Sequence, residues 1–132
     1  MALVPMDFTE SASIIDGTQN TSNTSVPSGG TATGVNSITL TPGTWLLIGM
    51  GDWEANNQGM RQIAFEESGV NTGRINSVNQ SVANYMSTKE AVLQLTQIVT
   101  VASSTTYRLY AYQTSGSTLK CYSSMRAIKL SE

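Results

Sequence analysis

Several stretches of this chain alternate apolar and polar side chains with a period of two, separated by turn residues. That rhythm belongs to β-strands and leaves helical architectures little room. The strongest run covers residues 44–54, TWLLIGMGDWE, where Trp45, Leu47, Gly49, Gly51 and Trp53 share one parity and Leu46, Ile48 and Met50 the other. Both parities are apolar at its start, which predicts an interior strand covered on both sides. Gly49 and Gly51 share a face, so a second layer is expected to approach closely there. Residues 90–101, EAVLQLTQIVTV, place Ala91, Leu93, Leu95, Val99 and Val101 on one face, with Gln97 interrupting. Lys, Glu, Ala and Leu near its start favour helix, but the strict alternation and the β-branched run at 98–101 decide for strand. Residues 106–114, TYRLYAYQT, turn Tyr107, Leu109 and Ala111 one way and Arg108, Tyr110 and Tyr112 the other.

Shorter strands are expected at 36–40, at 60–66 (Arg61, Ile63 and Phe65 on one face), at 118–122 and at 125–130, with weaker ones near 73–78 and 82–86. Thr41-Pro42-Gly43 reads as a turn, Pro pre-setting φ and Gly accepting positive φ. Residues 102–105 read as another. Asn56-Asn57-Gln58-Gly59 reads as a hairpin-type turn, and Ser115-Gly116-Ser117 turns the chain so that 118–122 pairs back. Residues 16–34, DGTQNTSNTSVPSGGTATG, are small and polar and are broken by Pro27, Gly29 and Gly30, which reads as loop or weakly pinned edge strand. The expected organisation is an N-terminal segment, 1–35, whose first five residues are compatible with a vector-derived start, followed by the main body, 36–132. A chain of 132 residues fits one compact domain. Roughly eight to ten strands with closely spaced turns mean an all-β sandwich, jelly roll or barrel.

Composition narrows the function. Net charge is −2, and no Lys/Arg cluster is present to neutralise a row of phosphates, which argues against nucleic-acid binding. No apolar run approaches the ~20 residues of a membrane-spanning helix, and residues 1–6 lack the basic start and apolar stretch of a secretory signal. The single cysteine, Cys121, rules out an internal disulfide framework, and its alternating context reads as a buried thiol. The chain has no histidine, which removes Ser-His-Asp and Cys-His catalysis together with His-based metal sites. Asp52 with Glu54, and Glu66 with Glu67, are the carboxylate pairs. A glycosidase needs its two carboxyls across a cleft, about 5–9.5 Å apart, whereas a pair at a strand end reads as solvated rim. Asp52, Glu54 and Asn56 lack calcium-loop spacing. No enzyme activity, metal or cofactor is expected.

The charged fraction is 12%, about half the usual ~25%, and the surface is correspondingly rich in Ser, Thr, Asn, Gln and Gly. Aromatic faces beside amide and carboxylate side chains recognise sugars, which have apolar C–H faces and many hydroxyls. The candidate ligand-binding residues are Asp52, Trp53, Asn56, Asn57, Gln58, Arg74, Asn76, Asn79, Asn84 and Tyr85, on the connections at 52–59 and 70–88. Trp53 has a second reading as core, and the Asn/Gln positions have one as ordinary turn chemistry.

Three pieces carry a family resemblance: the Gly-Thr-Trp strand at 43–45, the Asn/Gln-Gly turn followed by Arg61, and the Gln-x-Ser-Gly stretch at 113–116. With the closing Ala-Ile-Lys-Leu at 127–130, residues 36–130 resemble the head domains of phage tail fibres and baseplate receptor-binding proteins. Those heads are jelly rolls related to tumour necrosis factor and the complement globular head. The chain lacks the coiled-coil heptads or collagen repeat of a fibre shaft. The resemblance implies a jelly-roll β-sandwich forming a homotrimer on a virion, and a non-enzymatic head that recognises a host surface glycan or protein. The alternative is a structural virion component, a decoration or assembly protein, with the same trimeric fold and no ligand. Tyr107, Tyr110 and Tyr112 are then the expected trimer-interface residues, because tyrosine combines an apolar body with a polar tip. Half-exposed surface aromatics on a monomer are the alternative reading of the three.

Overall fold

A computed structural model of the chain describes residues 13–67, 80–83 and 91–132. The described residues form nine strands: β1 (Ile14–Asp16), β2 (Asn23–Val26), β3 (Thr33–Leu40), β4 (Gly43–Trp53), β5 (Arg61–Glu67), β6 (Gln80–Ala83), β7 (Ala91–Val101), β8 (Thr105–Gln113) and β9 (Leu119–Ser131). All strand pairs are antiparallel, and they make two sheets. One runs β1-β9-β4-β7, with β2 also on β9; the other runs β3-β8-β5-β6. The two pack face to face as a jelly-roll β-sandwich, as the alternation predicts.

The turns do something other than expected. β3, β5 and β8 lie in one sheet, while β4, β7 and β9 lie in the other. The connections at 41–42, 54–60, 102–104 and 114–118 therefore all cross from sheet to sheet. Neither Asn56–Gly59 nor Ser115–Ser117 closes a hairpin. Residues 118–122 do not pair back on β8; they begin β9, which runs unbroken through Ser123 and Ser124 to Ser131 and pairs with β4. Ser123 is tolerated inside the strand because its buried hydroxyl donates to Val35 O at 3.0 Å.

β4 is interior to its sheet, bonded along its length to β9 and β7. Its inward parity is Trp45, Leu47, Gly49, Gly51 and Trp53, all buried. The close approach expected at the glycines is present. A Cβ on Gly49 would lie 2.7 Å from Phe65 Cζ, and one on Gly51 would lie 3.0 Å from Ile63 Cγ2. The β5 side chains therefore rest directly on the β4 backbone. Ile38, Leu40, Leu93, Leu95, Val99, Leu109, Cys121 and Met125 complete the same core. Cys121 is buried and free. Burial, and secondarily the charge of Asp52, push its thiol pKa up to about 12.

β2 falls in the polar segment read as loop or edge strand, β1 ends at its first residue, Asp16, and the two form the edge beyond β9. They run along the same side of β9 and are interrupted by residues 17–22 opposite 123–125. Asn20 fills the gap. Its Nδ2 donates to Met125 O at 3.0 Å, and its Oδ1 accepts from Met125 N at 2.9 Å, so one side-chain amide replaces a strand partner. Asn36 Nδ2 donates to Asn20 Oδ1 (2.9 Å) and to Ser123 Oγ (3.1 Å), joining β3 of one sheet to β9 of the other. A register shift between Gly34 and Asn36 makes this reach available. Val35 and Asn36 together oppose a single position of β8, and both are buried.

Candidate functional site

Two surfaces follow from this framework: a loop end and a sheet face. The loop end is built by two buried polar side chains that are cross-strand neighbours, Arg61 on β5 and Gln113 on β8. Arg61 Nη1 donates to Gln58 O (2.8 Å) and Met60 O (3.1 Å), and Nη2 donates to Asn56 O (3.0 Å). Its guanidinium thus holds the 54–60 connection from below, and burial draws its pKa down. Gln113 Nε2 donates to Val26 O (2.9 Å) and Ser117 O (2.6 Å), while its Oε1 accepts from Ser115 N (2.7 Å), which fixes the 114–118 connection. The two loops touch at Gly59, with φ +67°, where a Cβ would lie 2.1 Å from Thr114 O. The Arg after the Gln-Gly turn and the Gln before Ser-Gly are thus scaffolding residues.

Of the expected ligand-binding residues, this end gathers Asn56, Asn57 and Gln58. Asn56 Oδ1 accepts from Gln58 N at 2.8 Å, which is turn chemistry. Asn57 and Gln58 are exposed, and their side chains bond each other. Trp53 is not a surface residue. It is 0% exposed, so the core reading holds and the ligand reading fails, because strand parity points it inward with Gly51 and Leu47. Asp52 is turned to the opposite face of its sheet. Glu54 caps β9, its Oε2 accepting from Lys120 N at 2.9 Å. Glu66 lies across from Arg108 on the other sheet, and burial raises its pKa. Arg74, Asn76, Asn79, Asn84 and Tyr85 lie outside the described residues.

The sheet face is the outer side of β1-β9-β4-β7. Within one chain, Leu46 and Met50 are half-covered and Ile48 is exposed, so β4 is covered on one side, not both. Cross-strand register sets Ile14 of β1 opposite Ile128 of β9, Ile128 opposite Leu46 of β4, and Leu46 opposite Ile98 of β7. Four apolar side chains therefore form one row across four strands, about 14 Å wide at the usual ~4.8 Å spacing. Ile14 is 52% exposed and Ile98 64%. Among the described residues, every exposed large hydrophobic lies on a strand of this sheet: Ile14, Ile48, Val92, Ile98, Tyr122 and Leu130. Sequence parity carries the signal for this face in Leu46-x-Ile48-x-Met50: a strand apolar on both faces needs two covers, and the second layer of the sandwich supplies one of them. Tyr107, Tyr110 and Tyr112 belong to the other sheet. Tyr110 is buried within the chain, Tyr107 packs half-buried against the core, and Tyr112 is half-buried.

No family model and no curated protein matches this chain. Solved structures do. One is an Eiger TNF from S. frugiperda, with TM-score 0.59 and 12% identity over 92% of this chain and 94% of that one. Another is infectious bursal disease virus, Gx strain, with TM-score 0.57 and 10% identity over 98% of this chain. The chain spans 38% of that viral chain, and the Gt strain matches over the same shares at TM-score 0.55. At these identities the likeness is one of fold: this chain has the jelly roll seen in a TNF and in a virus structure.

Proposed function

We propose that this chain is a non-enzymatic head domain that assembles with copies of itself, as a homotrimer, through the outer face of the β1-β9-β4-β7 sheet, and presents its loop end to a host surface glycan or protein. The observation that carries this reading is the Ile14–Ile128–Leu46–Ile98 row. A contiguous apolar face marks a surface that a partner covers, and copies of the chain are the partner the fold resemblance implies. Self-association through this face does not use Tyr107, Tyr110 and Tyr112, which lie on the other sheet, where the chain itself buries Tyr110. Asn57 and Gln58, held from beneath by Arg61, are the residues best set to meet a receptor on a rigid scaffold. Location on a virion follows from the same reading.

Sedimentation equilibrium tests it. The expected result is a mass of three chains that falls to one chain in the Ile48→Lys/Ile98→Lys double variant. A monomer at high concentration in the unsubstituted protein refutes the assembly. The match to a virus structure over 98% of this chain supports a second reading, a structural virion component with the same assembly and no ligand. A host-glycan array separates the two: binding that is lost in Asn57→Ala/Gln58→Ala supports the head, and trimers that bind no glycan or host protein support the structural role.

A further inference from the structure

The bulge in β3 and the gap between β1 and β2 meet at a hollow that neither surface above uses. It is an open depression of about 290 Å³, lined chiefly by polar groups, among them Thr18, Gln19, Gly34, Asn36, Ser37 and Arg108. That volume falls just below the ~300–1,000 Å³ range of small-molecule sites, which suits one small ring, not an extended ligand. Its floor is fixed. Asn36 Oδ1 accepts from Gln19 N (3.1 Å) and Ser37 N (2.9 Å), and Thr18 N donates to Ser37 O (3.1 Å), so the 17–22 loop is pinned to the β3 edge. Gly34 leaves the wall open; a Cβ there would lie 3.7 Å from Arg108 Nη1.

Arg108 is the feature that points to a ligand. It is exposed on the outer face of β8, opposite Ser37 on one side and Glu66 on the other. It leans over Gly34 and forms no ion pair with Glu66. Among the described residues the two ion pairs are Asp16–Arg126 and Lys129–Glu132. A guanidinium offers five donors in a planar fork that matches a carboxylate. Here it stands over a hollow rich in hydroxyl and amide groups, with no acceptor among the described residues.

We propose that this hollow is a subsite for an acidic sugar: Arg108 takes the ring carboxylate, and Thr18, Gln19 and Ser37 take ring hydroxyls. The proposal rests on the reading of the domain as a glycan-binding head and adds to the Asn57–Gln58 loop end a second, separate contact, for a glycan that carries uronate-type residues. Three probes titrated against the full chain, followed by amide chemical shifts, test it: methyl glucuronoside, methyl glucoside and acetate. Methyl glucuronoside is expected to shift the amides of residues 18, 19, 34 and 37, to bind at least about tenfold more tightly than methyl glucoside, the worth of a hydrogen bond to a charged group, and to bind more tightly than acetate, which lacks the ring hydroxyls. Arg108→Gln should remove the advantage over the glucoside. Gly34→Val, which fills the hollow and keeps the charge, should abolish the shifts. Equal binding of acetate would reduce the hollow to a small-anion site and overturn the proposal, as would equal binding of the glucoside, persistence of binding in Arg108→Gln, or no shifts at all. Glycan-array binding that survives Arg108→Gln would refute this subsite while leaving the head reading in place.

Discussion

The two faces of β4 are written in nearly the same alphabet and meet opposite fates. Trp45, Leu47, Gly49, Gly51 and Trp53 are sheltered by the β5 and β8 side chains of the facing sheet, while Leu46, Ile48 and Met50 look outward, where Ile48 is exposed and Leu46 and Met50 are half-covered. Apolar pattern therefore reports that a face is meant to be covered, and says nothing of whether the cover is the same chain or another. The glycines mark the difference: they lie on the inner parity, where a second layer presses on the backbone. The outer parity carries full-sized side chains.

Substitutions on the inner face should cost stability. Gly49→Val has the largest expected effect, because its Cβ would lie 2.7 Å from Phe65 Cζ in a filled core. Overpacking of this kind costs about 1–3 kcal/mol, read as a lower urea midpoint with an unchanged slope. A midpoint equal to that of the unsubstituted protein would mean the layers are looser than drawn. Asn36→Ala follows. It removes the acceptor of Gln19 N and Ser37 N and the donor to Asn20 and Ser123, and a buried network that loses a member costs about 1–3 kcal/mol. Its signature should include faster amide exchange at Met125, whose partner Asn20 is held by Asn36.

Cys121 sharpens the same contrast through pH. Its folded thiol pKa stands near 12, against an ordinary value of 9.0. In the window between them the unfolded chain has lost the proton and the folded chain keeps it. Stability therefore falls as pH rises from about 9 toward 12, and is unaffected by this group below that window. Cys121→Ser should flatten the alkaline slope. The thiol should also resist a disulfide reagent at neutral pH until the chain unfolds.

The strands were legible because alternation is a local property. β4, β7 and β8 stand within two residues of their expected bounds. What the turns connect was not legible. Pro42-Gly43, Asn56–Gly59 and Ser115–Ser117 bend the chain sharply, but a bend is compatible with returning in the same sheet or crossing to the other. The choice depends on contacts as distant as Gln113 with Val26. Trp53 shows the same limit at one residue: it stands beside a loop, yet parity, not proximity to the turn, decides its direction. The polar 16–34 segment hid its strands for a different reason. Its pairing with β9 is completed by the Asn20 side chain, which no backbone periodicity can announce.

On the outer face the predictions turn from stability to assembly, and they shrink. Ile98→Lys replaces a side chain that is 64% exposed, so the isolated chain should keep its midpoint within about 0.5 kcal/mol. The same change should lower the assembled mass. An unchanged mass would move the interface off this face.

The smallest effect belongs to Asp16. Its carboxylate accepts from Arg126 Nε at 2.6 Å and Nη2 at 3.1 Å, and both side chains are about half exposed. Those hydrogen bonds hold the Asp16 pKa below its ordinary 3.8, so any stability the pair supplies is present above that pH and is lost as pH falls through the lower folded value. In water an exposed pair of this kind contributes almost nothing, and Asp16→Asn in the Ile98→Lys background should leave the urea midpoint where it was. The pair lies beside Ile48 on the outer face, however, since Arg126 stands opposite Ile48 in register. If copies cover that face, the pair leaves water, and the substitution strands the Arg126 charge without its counter-charge at the contact. Asp16→Asn should then weaken the assembly without touching the fold of the single chain. Equal association constants with and without Asp16, measured at low salt, would place the pair at the rim or outside the contact altogether.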